Sequence, residues 1–404
     1  MKVMKSLLTI TLLALGSLML NAQTDSVKIA KDSVPQDTFI FTIVKENPIS
    51  SVKNQKRSST CWAFSTLGFV EAELLRMGKP EYDLAEMFVV HHTMLDRATN
   101  YVRLHGSSSF RPGGSFADVM KCFRLYGIVP QEAMPGIMYG DTLPNHSELD
   151  RVAEGYVNAL IKGNPKKLTP VWRDGLSGIY DAYLGKCPES FTFEGKSYTP
   201  QSFMQMLGFN PDDYVSITSF THHPFYTQFA VEVEDNWRQE LSWNIPLDEM
   251  MQIIDNALEK GYTIAWGADV SETGFTRNGI GVMPDEDKGA ELTGTDQARW
   301  TGMTISDKKK ELTKGPLPEV EVTQEMRQKA FDNWETTDDH GMQIYGIAKD
   351  QNGKEYYLVK NSWGKTGNYN GIWYISKAFT AYKTMNFLVH KDALPKEIRK
   401  KMKL

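Results

Sequence analysis

The sequence is poor in cysteine, with three in 404 residues, and contains no excess of positive charge, no internal repeat and no low-complexity tract. Three thiols cannot staple a small secreted scaffold, and an odd number leaves at least one unpaired. The net charge is −5, so the charge balance gives no support to nucleic-acid binding. Apart from one N-terminal stretch, no run is apolar enough to span a bilayer. What remains is globular material, 41% hydrophobic and 24% charged, with ample chain for a core.

That N-terminal stretch has its own character. Lys2 and Lys5 precede an apolar run from Leu7 to Leu20, which ends at Asn21-Ala22. A basic start, a short apolar run and a small residue at the cut read as a signal peptide over 1–22. The reading implies an exported protein, periplasmic or secreted, with an uncleaved anchor as the alternative. Residues 23–44 read as a flexible leader, too short to fold as an inhibitory prodomain.

From Cys61 onward the pattern is helical, with Ala63, Leu67, Val70 and Leu74 on one face. Ser58, Ser59 and Thr60 offer N-caps. Helical patterns over 84–98 and 115–126 complete a helical part, 45–139. Residues 140–244 carry interrupted helical stretches (149–162, 172–184, 200–207) and read as an insertion. Residues 245–395 begin with a helix on Leu247, Met250, Met251, Ile254 and Leu258, then turn to strands. Alternation at Met342, Ile344, Gly346 and Ala348, and again at Tyr356, Leu358 and Lys360, flanks Asp350-Gln351-Asn352-Gly353. This predicts a hairpin over 341–361, followed by a strand over 371–375. The Lys-rich stretch 306–318 reads as a solvated loop and 396–404 as a basic tail.

Cys61 stands at the predicted start of its helix, after Gln55 and a Ser/Thr cluster. The free N–H groups of a helix start favour a thiolate, the competent nucleophile. An isolated cysteine is more often a small buried hydrophobe, and Cys122 and Cys187 read that way. Among eight histidines, His340 differs because it opens the predicted hairpin, and Asn361 closes it. Antiparallel pairing brings the two to one end, although the turn is too long to fix the register. A cysteine nucleophile needs a base, and the base needs an orienter. An Asn carbonyl supplies one without adding charge, and Trp363 could shield that hydrogen bond.

These residues resemble the papain-like cysteine peptidases. The resemblance is carried by Asn54-Gln55, Ser59-Thr60-Cys61-Trp62-Ala63-Phe64-Ser65, Asp339-His340-Gly341 and Lys360-Asn361-Ser362-Trp363-Gly364. Within them the chain is similar to the bleomycin hydrolase / aminopeptidase C branch, through Gly113-Gly114, Tyr126-Gly127-Ile128-Val129-Pro130, Tyr183-Leu184-Gly185 and Trp266-Gly267-Ala268-Asp269-Val270. The gap from Cys61 to His340 is 279 residues, against about 130–150 in the papain pattern, as that branch implies.

The resemblance implies an α+β, papain-like two-subdomain fold: a helical half with Cys61, a β-barrel-like half with His340 and Asn361, and a large helical insertion. It implies peptide hydrolysis through a Cys61 thioester, with His340 as base and Asn361 as its orienter. Gln55 and the Cys61 N–H would hold the oxyanion. Gly113, Gly114 and Trp363 would lie on the substrate side, though the glycine pair also reads as an ordinary turn. Peptides are the implied partners, and a homohexamer is the family's assembly. No cofactor or metal is implied. In that branch a C-terminal arm lies in the cleft and its carboxylate meets the substrate's amino end. Here the residues after Asn361 run into Arg399, Lys400, Lys401 and Lys403, so the expectation is a weaker aminopeptidase preference. An endopeptidase with an open cleft is the alternative, and a non-enzymatic exported binding protein a third reading.

Overall fold

A computed structural model describes residues 38–163, 166–285, 302–312 and 314–404. The signal-peptide reading, and all of the leader before Thr38, fall outside the described residues. Six helices form one layer: α1 (Cys61–Arg76), α2 (Glu86–Arg103), α3 (Phe116–Tyr126), α4 (Ser147–Lys162), α5 (Trp172–Leu184) and α6 (Pro200–Leu207). Their ends follow local chemistry. A Ser115–Asp118 capping box starts α3, and a Thr199–Ser202 box with Pro200 in the first turn starts α6. Gly208, in the left-handed region at φ +70°, ends α6. The apolar faces of the six helices enclose one core, with Phe69, Phe88, Phe123, Tyr180 and Phe203 among its members. Cys122 lies buried in it, and Cys187 packs half-buried at its edge.

The second part is a sheet. Its strands are β1 (Thr42–Glu46), β4 (Tyr214–Thr218), β5 (Thr227–Ala230), β6 (Leu241–Asn244), β7 (Ile264–Ala268), β8 (Ile280–Gly281), β9 (His340–Lys349), β10 (Glu355–Lys360), β11 (Ile372–Ser376) and β12 (Thr384–His390). A separate hairpin, β2 (Phe191–Phe193) with β3 (Lys196–Tyr198), packs its aromatic rings on Phe203. The large sheet runs β5-β6-β4-β12-β7-β9-β10-β11-β8, with β1 pairing additionally on β9. A second core lies between this sheet and α7 (Leu247–Glu259), built on Ile254, Trp266, Ile344, Trp373 and Phe387. The expected α+β class with a helical and a sheet half is what the chain forms. No helix among the described residues is long and apolar enough to cross a membrane.

The expected hairpin is β9–β10. Asp350 shapes its turn by accepting the N–H groups of Asn352 and Lys354, both at 2.9 Å. A register shift between Leu358 and Val359 leaves Tyr345 of β9 without a partner on β10, the kind of bulge that reorients a strand beside a site. Residues 140–244 contribute to both parts. Helices α4–α6 share the helical core, while β4–β6 extend the sheet beyond β12.

Three local expectations differ from the structure. Residues 306–318 are not simply a loop, because Ile305–Leu312 is a helix; its lysines are good helix formers even without an apolar stripe. The end of the expected leader is ordered, since β1 pairs with β9 and Phe41 stacks on Tyr374 at 3.9 Å. Thr60 occupies the N-cap position of α1, yet its side chain makes no capping bond. It pairs instead with the Ser58 hydroxyl at 2.5 Å.

Candidate active site

Cys61 opens α1, so its N–H has no intrahelical acceptor. The chain reaches it through a contorted loop in which Lys56 and Ser59 have φ of +48° and +56°. That conformation costs a non-glycine residue roughly 1–2 kcal/mol. Outside contacts hold the loop in place. Arg57 N–H donates to Pro144 O at 3.1 Å, and His146 N–H donates back to Arg57 O at 3.0 Å. Below it, buried Glu71 of α1 accepts Ser50 Oγ at 2.5 Å and Leu84 N–H at 2.9 Å. Lys360 of β10 donates to Ser50 Oγ at 3.0 Å. This network ties the loop before Gln55 to both halves of the fold.

His340 begins β9 and Asn361 follows β10, so the hairpin brings them together. His340 Nε2 lies 2.8 Å from Asn361 Oδ1. The same oxygen accepts Ser362 N–H at 2.7 Å. An atom that accepts twice is the amide carbonyl, which assigns the imidazole proton to Nε2 and leaves a lone pair on Nδ1. Trp363 stacks over the imidazole at 4.8 Å between centroids and 30°, and Asn361 is buried. The hydrogen bond is therefore out of water, as the sequence suggested.

Glycine at 341 brings this pair to the thiol. A Cβ there would stand 2.6 Å from Ser65 Oγ and 3.4 Å from Cys61 O. Only without it can β9 lie so close to the start of α1. The result is a single cleft whose lining includes Cys61, Gly114, Asp235, Asp338 and His340.

Gln55 is buried, and its placement is specific. Its N–H donates to Ser362 O at 2.8 Å, and Ser362 Oγ–H donates to its Oε1 at 2.6 Å. With the carbonyl end held, the NH₂ end is the free donor. Gly114 lines the cleft, and among the described residues its N–H and C=O have no partner. A Cβ on Gly114 would meet the Trp62 ring at 2.8 Å, and one on Gly113 would collide with the Asp235 carboxylate. Arg97, fully buried, donates to Gly113 O and to Ser109 O, and lies 3.5 Å from Asp235. It braces the glycine loop and the 231–235 segment together.

Burial dominates the electrostatics. It pushes the Cys61 thiol up to about 12, and the carboxylates of Asp338 and Asp235 push the same way; the Gly341 and Trp62 amides pull it down. Burial also takes His340 down to about 4, with the Asn361 bond opposing. Asp338 is raised to about 7 by burial and by its neighbours Asp235 and Asp339. Burial thus favours the neutral thiol and the neutral imidazole, beside a wall of carboxyl groups.

The structure brings Cys61, His340, Asn361, Gln55 and Gly114 to one place. Gly113 sits beside Gly114 under Asp235, and Trp363 covers the imidazole rather than lining the cleft. Sequence reasoning missed Ser362, Arg97, Asp235 and Asp338. Ser362 and Asp338 were within reach, since each adjoins a residue singled out; Asp235 and Arg97 carried no local signal. The basic tail lies elsewhere. Ile398 and Met402 pack in the α7–sheet core, Lys401 pairs with Glu249, and no residue beyond Leu388 lines the cleft.

The Peptidase C1-like family model matches residues 100–284 and 317–404. Aminopeptidase C of Lactobacillus delbrueckii subsp. lactis is 22% identical, over 94% of this chain and 88% of its own. Aminopeptidase C of Streptococcus thermophilus is 23% identical, over 93% and 88%. The crystal structure of PepW from Lactobacillus rhamnosis HN001 shares the fold, with a TM-score of 0.65 at 20% identity over 90% of this chain and 84% of that one. The family match runs from the end of α2 through the sheet that presents His340, well over half of the chain, and the chain accordingly belongs to the Peptidase C1-like family of papain-like cysteine peptidases.

Proposed function

We propose that this protein is an exported aminopeptidase that cleaves peptides through a thioester on Cys61. The observation that carries the reading is the shared cleft of Cys61, His340 and the carboxylates Asp235 and Asp338. His340 Nδ1 takes the thiol proton as Sγ attacks the scissile carbonyl carbon. The proton then passes to the leaving amine, and water, deprotonated by the same nitrogen, releases the acyl group. The oxyanion sits between the Gln55 NH₂ and the Cys61 N–H. The unpaired Gly114 backbone groups bind substrate as an added strand.

Asp338 and Asp235 give this reading its specificity. An acidic wall beside the nucleophile suits the free ammonium of a peptide's first residue. Binding it would offset the two charges that add to burial in raising the thiol, so the correct substrate helps to activate its own nucleophile. None of the described tail residues lines the cleft, so this reading assigns amine recognition to the two carboxylates. Lys2, Lys5 and the Leu7–Leu20 run support export, and peptides are the partners. The family resemblance adds a homohexamer, which sedimentation of the purified chain distinguishes from a monomer.

The test compares matched peptides with free and acetylated amino ends. The free-amine peptide is expected to have the higher kcat/KM, Cys61→Ala to be inactive, and Asp338→Asn to narrow the ratio. Equal kcat/KM for both peptides would instead favour the open-cleft endopeptidase, and an active Cys61→Ala variant would end the cysteine mechanism.

A further inference from the structure

Beside the 231–235 segment, three potential ligands converge. His222 Nε2 lies 3.1 Å from Glu232 Oε2, and His223 Nε2 lies 3.1 Å from Glu232 Oε1. One ligand atom from each residue falls within a 4.8 Å cluster. The edge of a tetrahedron with 2.0–2.1 Å metal bonds is about 3.3 Å. The present N···O separations are therefore close to what a bound ion would impose.

The rings are held in position before any ion arrives. His223 stacks on Phe229 at 4.2 Å and 23°, and His222 stacks on Phe331 at 5.7 Å and 20°. His222 Nδ1 faces the Gln328 amide, 3.1 Å from Nε2 and 3.3 Å from Oε1. An outer hydrogen bond to one ring nitrogen is what orients the other toward a metal. Gln328 is itself fixed, since its Oε1 accepts Thr221 N–H at 2.5 Å and its NH₂ donates to Asp332 at 2.8 Å. Two imidazoles with one carboxylate suit a borderline ion such as Zn²⁺ better than Mg²⁺ or Ca²⁺, which prefer all-oxygen shells.

We propose that His222, His223 and Glu232 form a binding site for one divalent transition-metal ion of the zinc class, with water completing its coordination. The ion joins the His222–His223 loop to Glu232. Val231, Val233 and Asp235 of the same segment line the cleft, so the site would stiffen one cleft wall without touching the reacting atoms.

The experiment uses the Cys61→Ala chain, in which the reactive thiol cannot compete for metal. Calorimetry with Zn²⁺ and visible absorption with Co²⁺ should report one ion per chain at micromolar affinity or tighter, with Tm rising on saturation. Loss of any one ligand removes more than an outer-sphere partner, so affinity should fall by more than about 100-fold. His223→Ala and Glu232→Gln should show that loss while keeping the metal-free Tm, since all three ligands are partly exposed. A second, half-buried group, His91, His92 and Cys187, also places its ligand atoms within 4.8 Å. Cys187→Ser is therefore the control and should leave binding unchanged. Millimolar binding in the parent chain, unaltered binding in His223→Ala, or loss of binding in Cys187→Ser would each overturn the proposal.

Discussion

Ser362→Ala tests how the oxyanion donor is aimed. In the native cleft, Ser362 Oγ–H donates to Gln55 Oε1 at 2.6 Å, and both side chains are buried. The variant removes the one side-chain bond that fixes the Gln55 amide. A buried acceptor left without a donor costs about 1–3 kcal/mol of stability. The catalytic effect is smaller than deleting Gln55, because the NH₂ group survives but is no longer aimed. An oxyanion donor is worth about 10²–10³ in rate. If the loosened amide holds the productive angle about a tenth of the time, kcat falls about tenfold, or about 1.4 kcal/mol. KM should change little, since the bond acts mainly on the transition state. Steady-state kinetics of the two single variants and the double variant form the assay. In a Gln55→Ala background, adding Ser362→Ala should change kcat by no more than about twofold, because the group it orients is gone. A tenfold loss that persists in that background, or no loss in the single variant, would refute the reasoning.

Three further outcomes follow from the same geometry. Asp338 is raised to about 7 and must be ionised to hold an ammonium, so the free-amine to acetylated kcat/KM ratio should fall as pH drops below about 7, approaching tenfold per unit. The ratio cancels the titration of Cys61 and His340, and its slope should shrink in Asp338→Asn, where Asp235 alone remains; an unchanged slope there would remove Asp338 from amine recognition. Asn361→Ala should be milder than His340→Ala, because the base remains but loses its 2.8 Å orienter; equal inactivity in rate assays would assign Asn361 a larger role. Ser59→Gly should stabilise the chain by about 1 kcal/mol, because φ of +56° suits glycine; urea denaturation of the Cys61→Ala host reads this, and a destabilised variant would contradict it.

Much of the site was legible because its residues sit at points where local chemistry and periodicity agree. Cys61 follows a Ser/Thr cluster at the first turn of an apolar-faced helix. His340 and Asn361 bracket two alternating runs across a turn of Asp, Asn and Gly. These are short-range patterns, and short-range sterics and hydrogen bonding are enough to produce them. The leader's ordered end and the Ile305–Leu312 helix were not legible. In the first, pairing with β9, distant in sequence, supplies the order; in the second, lysine-rich sequence without an apolar stripe gives periodicity nothing to report.

The amino-acid sequence by itself determined the α+β class, the β9–β10 hairpin and the residues proposed as nucleophile, base and orienter. The tertiary structure decided where the helical half and the sheet meet. Gly341 does this by letting β9 close on α1, and the register shift at Tyr345 is a bulge that no alternation pattern reveals. It also decided which carboxylates face the thiol. Asp235 lies in a stretch with no motif of its own and reaches the cleft because buried Arg97 ties its segment to the Gly113 loop. Charge recognition depends on distances between groups from separate elements, and long-range packing alone fixes those distances.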